Sequence, residues 1–125
     1  MANLKLRGVR GVGTKDERVW MEAVDDVDLG NYIVTDTTYD DKGNPSNKWR
    51  HVFEFSPKQV KKGEFVCLHS KAGVNCMGKT NDSGAPIHRI YWGLGERVWN
   101  NTGDRAHLIF APRNQRQSVL VPEAE

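Results

Sequence analysis

The chain has 125 residues, 38% hydrophobic and 27% charged, which is typical of one soluble globular domain and excludes a disordered or fibrous protein. No apolar run approaches the roughly 18 residues of a membrane span, and a net charge of +2 argues against a dedicated nucleic-acid binder. We therefore expect a single domain over residues 1–125, with its core over about residues 4–121. The first residues lack a signal-peptide pattern, which predicts a cytoplasmic protein.

Charge is distributed unevenly along the chain. Between Val19 and Asp41 there are seven acidic residues and no Lys or Arg. The last third instead carries five arginines, namely Arg89, Arg97, Arg105, Arg113 and Arg116. One face or edge is therefore expected to be acidic and another basic, which would bias the choice of partner.

Short runs rich in β-branched and aromatic residues alternate with Gly, Pro, Asn and Asp, a pattern that favours many short strands joined by turns. The predicted strands are Leu4–Val9, Arg18–Val24, Asn31–Thr38, Trp49–Phe55, Glu64–His69, Arg89–Trp92, Arg105–Phe110 and Gln117–Val121. The long segment Ser70–Pro86 has few apolar residues and is predicted to be an exposed loop. About eight strands without a long helix predict an all-β sandwich of two sheets.

Alternation within these runs predicts which side chains share a face. Val19, Met21 and Ala23 point one way in the second strand, and Trp20 points the other way. In the fourth strand Phe53 shares its face with a second phenylalanine two residues later.

Several segments together resemble the lamin tail domain family, an immunoglobulin-like β-sandwich. They are Asp28–Asp36, Phe53–Phe55, Lys62–His69, Tyr91–Gly93 and Val98–Leu108. The last contains a Trp-Asn-Asn-x-Gly-Asp run before an alternating strand, which is the most specific of these marks. Its spacing from the Tyr-Trp-Gly run looks more like bacterial members of the family than animal lamins. The resemblance covers nearly the whole chain and implies an immunoglobulin-like sandwich without a metal or cofactor.

The residues that carry the resemblance also have a physical interpretation as structural positions. They are Asp28, Tyr32, Asp36, Trp99, Asn100, Asn101, Gly103 and Asp104. The indole of the tryptophan is expected to pack across the core, and the Asn, Gly and Asp residues after it suit a tight turn.

The histidines and cysteines were considered as catalytic or metal-binding groups. None of the four histidines, which are His51, His69, His88 and His107, lies in a hydrolase motif, and no phosphate-binding loop is present. We therefore expect no enzymatic activity and no cofactor. Cys67 and His69 share a strand face, and with Cys76 and His88 they form a candidate zinc set.

The favoured interpretation of the cysteines is less specific. The ligand spacing of structural zinc sites is absent, so Cys67 is expected to be a small core residue and Cys76 a loop thiol, with a disulfide between them as an alternative. The acidic clusters, Asp25, Asp26 and Asp28 together with Asp40 and Asp41, lack the spacing of a calcium loop and are expected to form a solvated acidic face.

Two functional hypotheses follow. The resemblance implies a non-catalytic protein-interaction or scaffolding module with protein partners. The alternative is a weak nucleic-acid or polyanion-binding domain that acts through the five arginines without sequence preference, with Trp20, Trp49, Tyr91 and Trp92 as stacking surfaces. A membrane partner is not expected.

Overall fold

The computed structural model describes residues 3–37, 51–80, 83–94, 98–99 and 105–122. Within these residues the chain forms ten strands, two short 3₁₀ turns and no α-helix. The strands are β1 (Leu4–Arg10), β2 (Arg18–Ala23), β3 (Val27–Asp28), β4 (Tyr32–Thr37), β5 (Val52–Glu54), β6 (Gln59–Val60), β7 (Phe65–His69), β8 (Cys76–Lys79), β9 (Pro86–Tyr91) and β10 (Arg105–Phe110). The predicted all-β fold is thereby confirmed.

The strands form two main sheets and one small pair. The five-stranded sheet has the order β1-β2-β7-β9-β8, and the three-stranded sheet has the order β10-β4-β5. β3 and β6 pair by two residues each. β7 and β9 run parallel, whereas the other pairs are antiparallel. Strands β8 and β9 are consecutive in sequence and antiparallel, so they form a hairpin. This hairpin lies at the edge of the larger sheet, with β9 next to β7 and β8 outermost.

The core lies between the two main sheets, and residue alternation determines what enters it. Val19, Met21 and Ala23 of β2 share one face, as predicted, and that face is fully buried in the same apolar cluster as Val34 of β4 and Phe55. Each strand of the larger sheet therefore presents its alternate side chains on the opposite, outer face.

Two predicted elements were wrong. The supposed loop Ser70–Pro86 contains β8, which pairs with β9 in regular antiparallel register. This strand was missed because it lies at a sheet edge, where most of its side chains are exposed and no apolar alternation is needed. The predicted last strand, Gln117–Val121, forms no strand and is exposed to solvent. Its apolar residues resemble a strand in composition, but they pack against no sheet.

Candidate functional site

The outer face of the five-stranded sheet is concave and encloses a groove of about 860 Å³. Local alternation places its residues there. In β2, Arg18 and Trp20 alternate with buried Val19 and Met21, and in β9, Arg89 and Tyr91 flank buried Ile90. The side chains opposite to the core therefore converge from several strands onto one surface.

The groove concentrates positive charge. Its five cationic side chains are Arg10, Arg18, Lys71, Lys79 and Arg89. Among the described residues the single carboxylate that lines it is Asp16, so the described lining has four formal positive charges in excess. Since the whole chain has a net charge of only +2, the remainder of the molecule is net negative. Of the five arginines expected to give a basic face, Arg89 is the one described residue that lines this groove.

Most of these cations lack a carboxylate partner. Lys71 Nζ lies 2.8 Å from Asp16 Oδ1, and the Arg18 guanidinium donates to the backbone oxygen of Asp16 at 3.0 Å. Arg10, Lys79 and Arg89 form no ion pair within the described part of the chain. Their charge is therefore open to an anionic ligand.

Aromatic rings lie among the cations in two places. Trp20 and Phe65 have ring centroids 5.3 Å apart, and the Arg10 guanidinium lies 4.9 Å from the Trp20 ring centroid. Nearer the other end of β7, His69 stacks on Tyr91 with centroids 4.7 Å apart and planes inclined by 14°. The groove therefore offers both charge and flat apolar surfaces.

Tyr91 is seated by the loop that follows β7. A Cβ atom on Gly73 would lie 2.5 Å from the Tyr91 ring, so only glycine permits this close approach. The backbone N–H of Tyr91 also donates to the side-chain oxygen of Asn75 at 2.9 Å. The loop backbone therefore packs directly against the Tyr91 ring.

His69 lies at the floor of the groove in its neutral form. Burial, followed by the positive charges of Arg89, Arg18 and Lys71, lowers the pKa of His69 to about 4, with Asp16 acting weakly in the opposite direction. The Arg89 guanidinium donates to Nε2 of His69 at 3.4 Å. Nδ1 then carries the ring proton, and it has no hydrogen-bond partner among the described residues.

The candidate zinc ligands do not converge. Cys67 and Cys76 are both in register with Arg89, which lies between them on β9, and both are free thiols. His88 alternates to the opposite face of the sheet, where its Nε2 lies 2.9 Å from Glu64 Oε1. Among the described residues no three His, Cys, Asp or Glu side chains are grouped to hold a metal ion.

The five arginines predicted to bind polyanions occupy several places. Arg89 lies in the groove, and Arg105 begins β10 in the other sheet. Arg113 donates to the carbonyl oxygens of Gly30 and Phe55, both at 2.9 Å, and Arg116 donates to the same Gly30 oxygen at 3.1 Å. We call Arg113, Arg116 and these carbonyl groups the arginine clamp. Arg97 lies outside the described residues.

Four of the residues predicted to be structural lie within the described ranges, and each makes a hydrogen bond or is buried in the core. Asp28 Oδ1 accepts from the N–H groups of Gly30 and Lys58, and the hydroxyl of buried Tyr32 accepts from Asn3. Asp36 accepts from the His51 backbone at 2.9 Å. Trp99 is buried in the core cluster, as predicted. The remaining predicted turn residues, which are Asn100, Asn101, Gly103 and Asp104, lie outside the described residues.

The aromatic residues predicted to stack on bases do not all lie on one surface, and neither do the acidic residues considered for calcium. Trp20 and Tyr91 line the groove, whereas Trp92 packs against the core, and Trp49 lies outside the described residues. Asp25 and Asp26 accept from backbone N–H groups in their own turn and in the turn before β7. Asp40 and Asp41 lie outside the described residues.

Sequence reasoning missed most of the groove cations. Arg10, Arg18, Lys71 and Lys79 come from four separate segments that share no motif. Arg18 and Trp20 alternate with buried residues in β2, which indicates that they share an outer face. The order of the strands, which brings the other cations to this face, could not be derived from that pattern.

No family model, curated protein or solved structure matches the chain. The resemblance to lamin tail domains therefore stays a prediction. No helix in the described ranges is long and apolar enough to cross a membrane.

Proposed function

We propose that the chain is a non-catalytic binding module and that it binds polyanions through the groove. The excess of four positive charges on one concave surface carries this proposal. Low-dielectric walls focus the field of such a surface and attract anionic ligands. The binding is expected to release counterions and therefore to weaken steeply with salt.

The expected affinity is modest. Non-specific binding to nucleic acids typically has a dissociation constant of roughly 10⁻⁴–10⁻⁶ M at physiological salt. Among the described residues, Arg10, Lys79 and Arg89 have no carboxylate to release, so binding does not first have to break an ion pair there. Of the ion pairs between described residues, the Lys71–Asp16 pair is the one that competes with the ligand, and both of its side chains are partly exposed.

Charge reversal at exposed positions tests the proposal. The groove variant combines Arg10→Glu with Lys79→Glu, and the matched control combines Lys61→Glu with Lys62→Glu. All four side chains are exposed, and the control pair lies outside the groove. Fluorescence anisotropy with labelled heparin, at about 50 and 200 mM salt, measures the affinity of each protein.

We expect the groove variant to lose at least about tenfold in affinity while the control stays within about twofold. The equal change in net charge separates a local groove from a general electrostatic effect. Equal losses in both variants, or no heparin binding by the parent at low salt, would contradict the proposal.

The edge of the larger sheet favours a second candidate function, protein interaction by strand addition. β8 pairs only with β9 among the described strands, and Val74 and Met77 beside this edge are 85% and 52% exposed. An open edge with apolar neighbours is suited to receive an extended peptide. A pull-down from the native host tests this candidate: Val74→Glu with Met77→Glu should abolish specific capture, and Arg10→Glu alone, which changes the groove at the opposite edge of the sheet, should retain it.

A further inference from the structure

The groove contains more than charge, because aromatic rings lie between its cations at two separate points. Trp20 with Phe65 forms one ring pair, and His69 with Tyr91 forms the other. In the register of the sheet, Arg89 and Trp20 both lie level with Cys67, on opposite sides of β7, and Tyr91 lies level with His69 two residues further along. Arg89 therefore lies across β7 from one ring pair, and its guanidinium reaches His69 of the other pair.

The length of the groove also limits its ligand. Arg10 lies on the β1 edge and Lys79 on the β8 edge, four strand spacings apart. Arg10 is level with Tyr91 and Lys79 with Pro86, so the two are also five residues apart along the strands. At about 4.8 Å per spacing and about 3.3 Å per residue, their backbones are roughly 25 Å apart. A stacked nucleic-acid strand advances about 3.4 Å per nucleotide, so this distance corresponds to about seven nucleotides.

We infer that the polyanion is a single-stranded nucleic acid, held by its phosphates on the groove cations and by unpaired bases on the Trp20 and Tyr91 rings. This inference rests on the proposed function and narrows it to one ligand class. Aromatic platforms inside a basic channel bind single strands without sequence preference, because every base has a flat apolar face. A duplex keeps those faces stacked internally, and a sulfated polysaccharide has no aromatic ring to stack.

The test compares ligands that differ only in their bases. A 15-nucleotide thymidine strand and an abasic strand of the same length carry the same phosphates, and heparin serves as a polyanion without bases. Anisotropy titrations are made with the parent, with Trp20→Leu and with the control Phe110→Leu. Phe110 is an aromatic residue on the other sheet, outside the groove, and its side chain is 43% exposed.

We expect the parent to bind the thymidine strand at least about tenfold more tightly than the abasic strand. Trp20→Leu should remove most of that difference and leave heparin binding within about twofold, whereas Phe110→Leu should change neither. Circular dichroism and melting curves verify that each variant is folded.

Other outcomes separate the inference from the proposed function. Equal affinity for the base-containing and abasic strands would overturn the inference while heparin binding still supports a polyanion groove. Heparin binding much tighter than that of either strand would assign the groove to sulfated polysaccharides instead. If none of the three ligands binds at low salt, both proposals fail.

Discussion

The arginine clamp and the groove use the same side chain in different ways. In the clamp, the guanidinium groups of Arg113 and Arg116 donate to backbone carbonyl oxygens of Gly30 and Phe55. In the groove, Arg10 lies over an aromatic ring and Arg89 donates to a neutral histidine. An arginine whose donors are engaged by the backbone stabilises the fold, whereas one without such partners retains donors for a ligand.

The largest expected effect lies in the core between these two regions. Replacing Trp99 with Ala removes a large aromatic side chain that is only 4% exposed. We expect the free energy of unfolding to fall by about 3–5 kcal/mol. Chemical denaturation measures this loss, and a variant as stable as the parent would show that the indole contributes little to the core.

Arg113→Ala tests whether the arginine clamp stabilises the fold without contributing to binding. It leaves the Phe55 carbonyl oxygen without its charged donor, whereas the Gly30 oxygen keeps the hydrogen bond from Arg116, so the loss of stability should be about 1.5–3 kcal/mol. Affinity for polyanions should stay within about twofold, because this arginine lies outside the groove. The two regions would not be distinct if binding fell together with stability.

Arg89→Gln should give the opposite pattern. The glutamine amide can still donate to His69, but the central positive charge of the groove is removed. We expect affinity for a single strand to fall about three- to tenfold and the salt dependence to become shallower by about 0.7 in its logarithmic slope. Stability should change by less than about 1 kcal/mol. A large loss of stability with unchanged affinity would reverse the roles of the two arginine regions.

A further comparison concerns pH and His69, and its effect appears only below neutral pH. The pKa of His69 is lowered from 6.5 to about 4 in the folded protein, chiefly by burial and by Arg89. Between these values the unfolded state binds the extra proton, so this contribution to stability is present above about pH 6.5 and is lost as pH falls towards 4. In His69→Gln the contribution is absent.

Thermal unfolding of both proteins over this pH range isolates the histidine. The difference in melting temperature between parent and variant should move in favour of the variant as the pH falls. A constant difference would show that His69 titrates normally in the folded state.

The fold was predictable where burial imposes a pattern. The alternation of Val19, Met21 and Ala23 identified β2 and the residues that share a face, and the pattern exists because that face lies in the core. β8 was not predictable, since an exposed edge strand needs no apolar alternation. The Val119–Val121 segment misled for the converse reason: its composition suits a strand, but its side chains are exposed.

The candidate site was harder to predict than the fold. Arg89 was identified from the sequence, but its companions depend on strand order. β7 pairs with β2 on one side and with β9, in parallel, on the other, which joins residues from distant segments on one face. Arg113 was predicted to bind polyanions, but in the fold it donates to the backbone of Gly30. This partner is more than 80 positions away in sequence, so the sequence alone gave no sign of it.

The position of β7 has a thermodynamic consequence. One wall of the groove comes from the β1–β2 hairpin and the other from the β8–β9 hairpin, and β7 joins them. Neither hairpin alone presents the complete surface, so a ligand that spans it binds only the assembled sheet. Such a ligand contacts both hairpins at once and therefore stabilises their arrangement around β7. At a concentration 100 times its dissociation constant, it would stabilise the native state by about 2.7 kcal/mol.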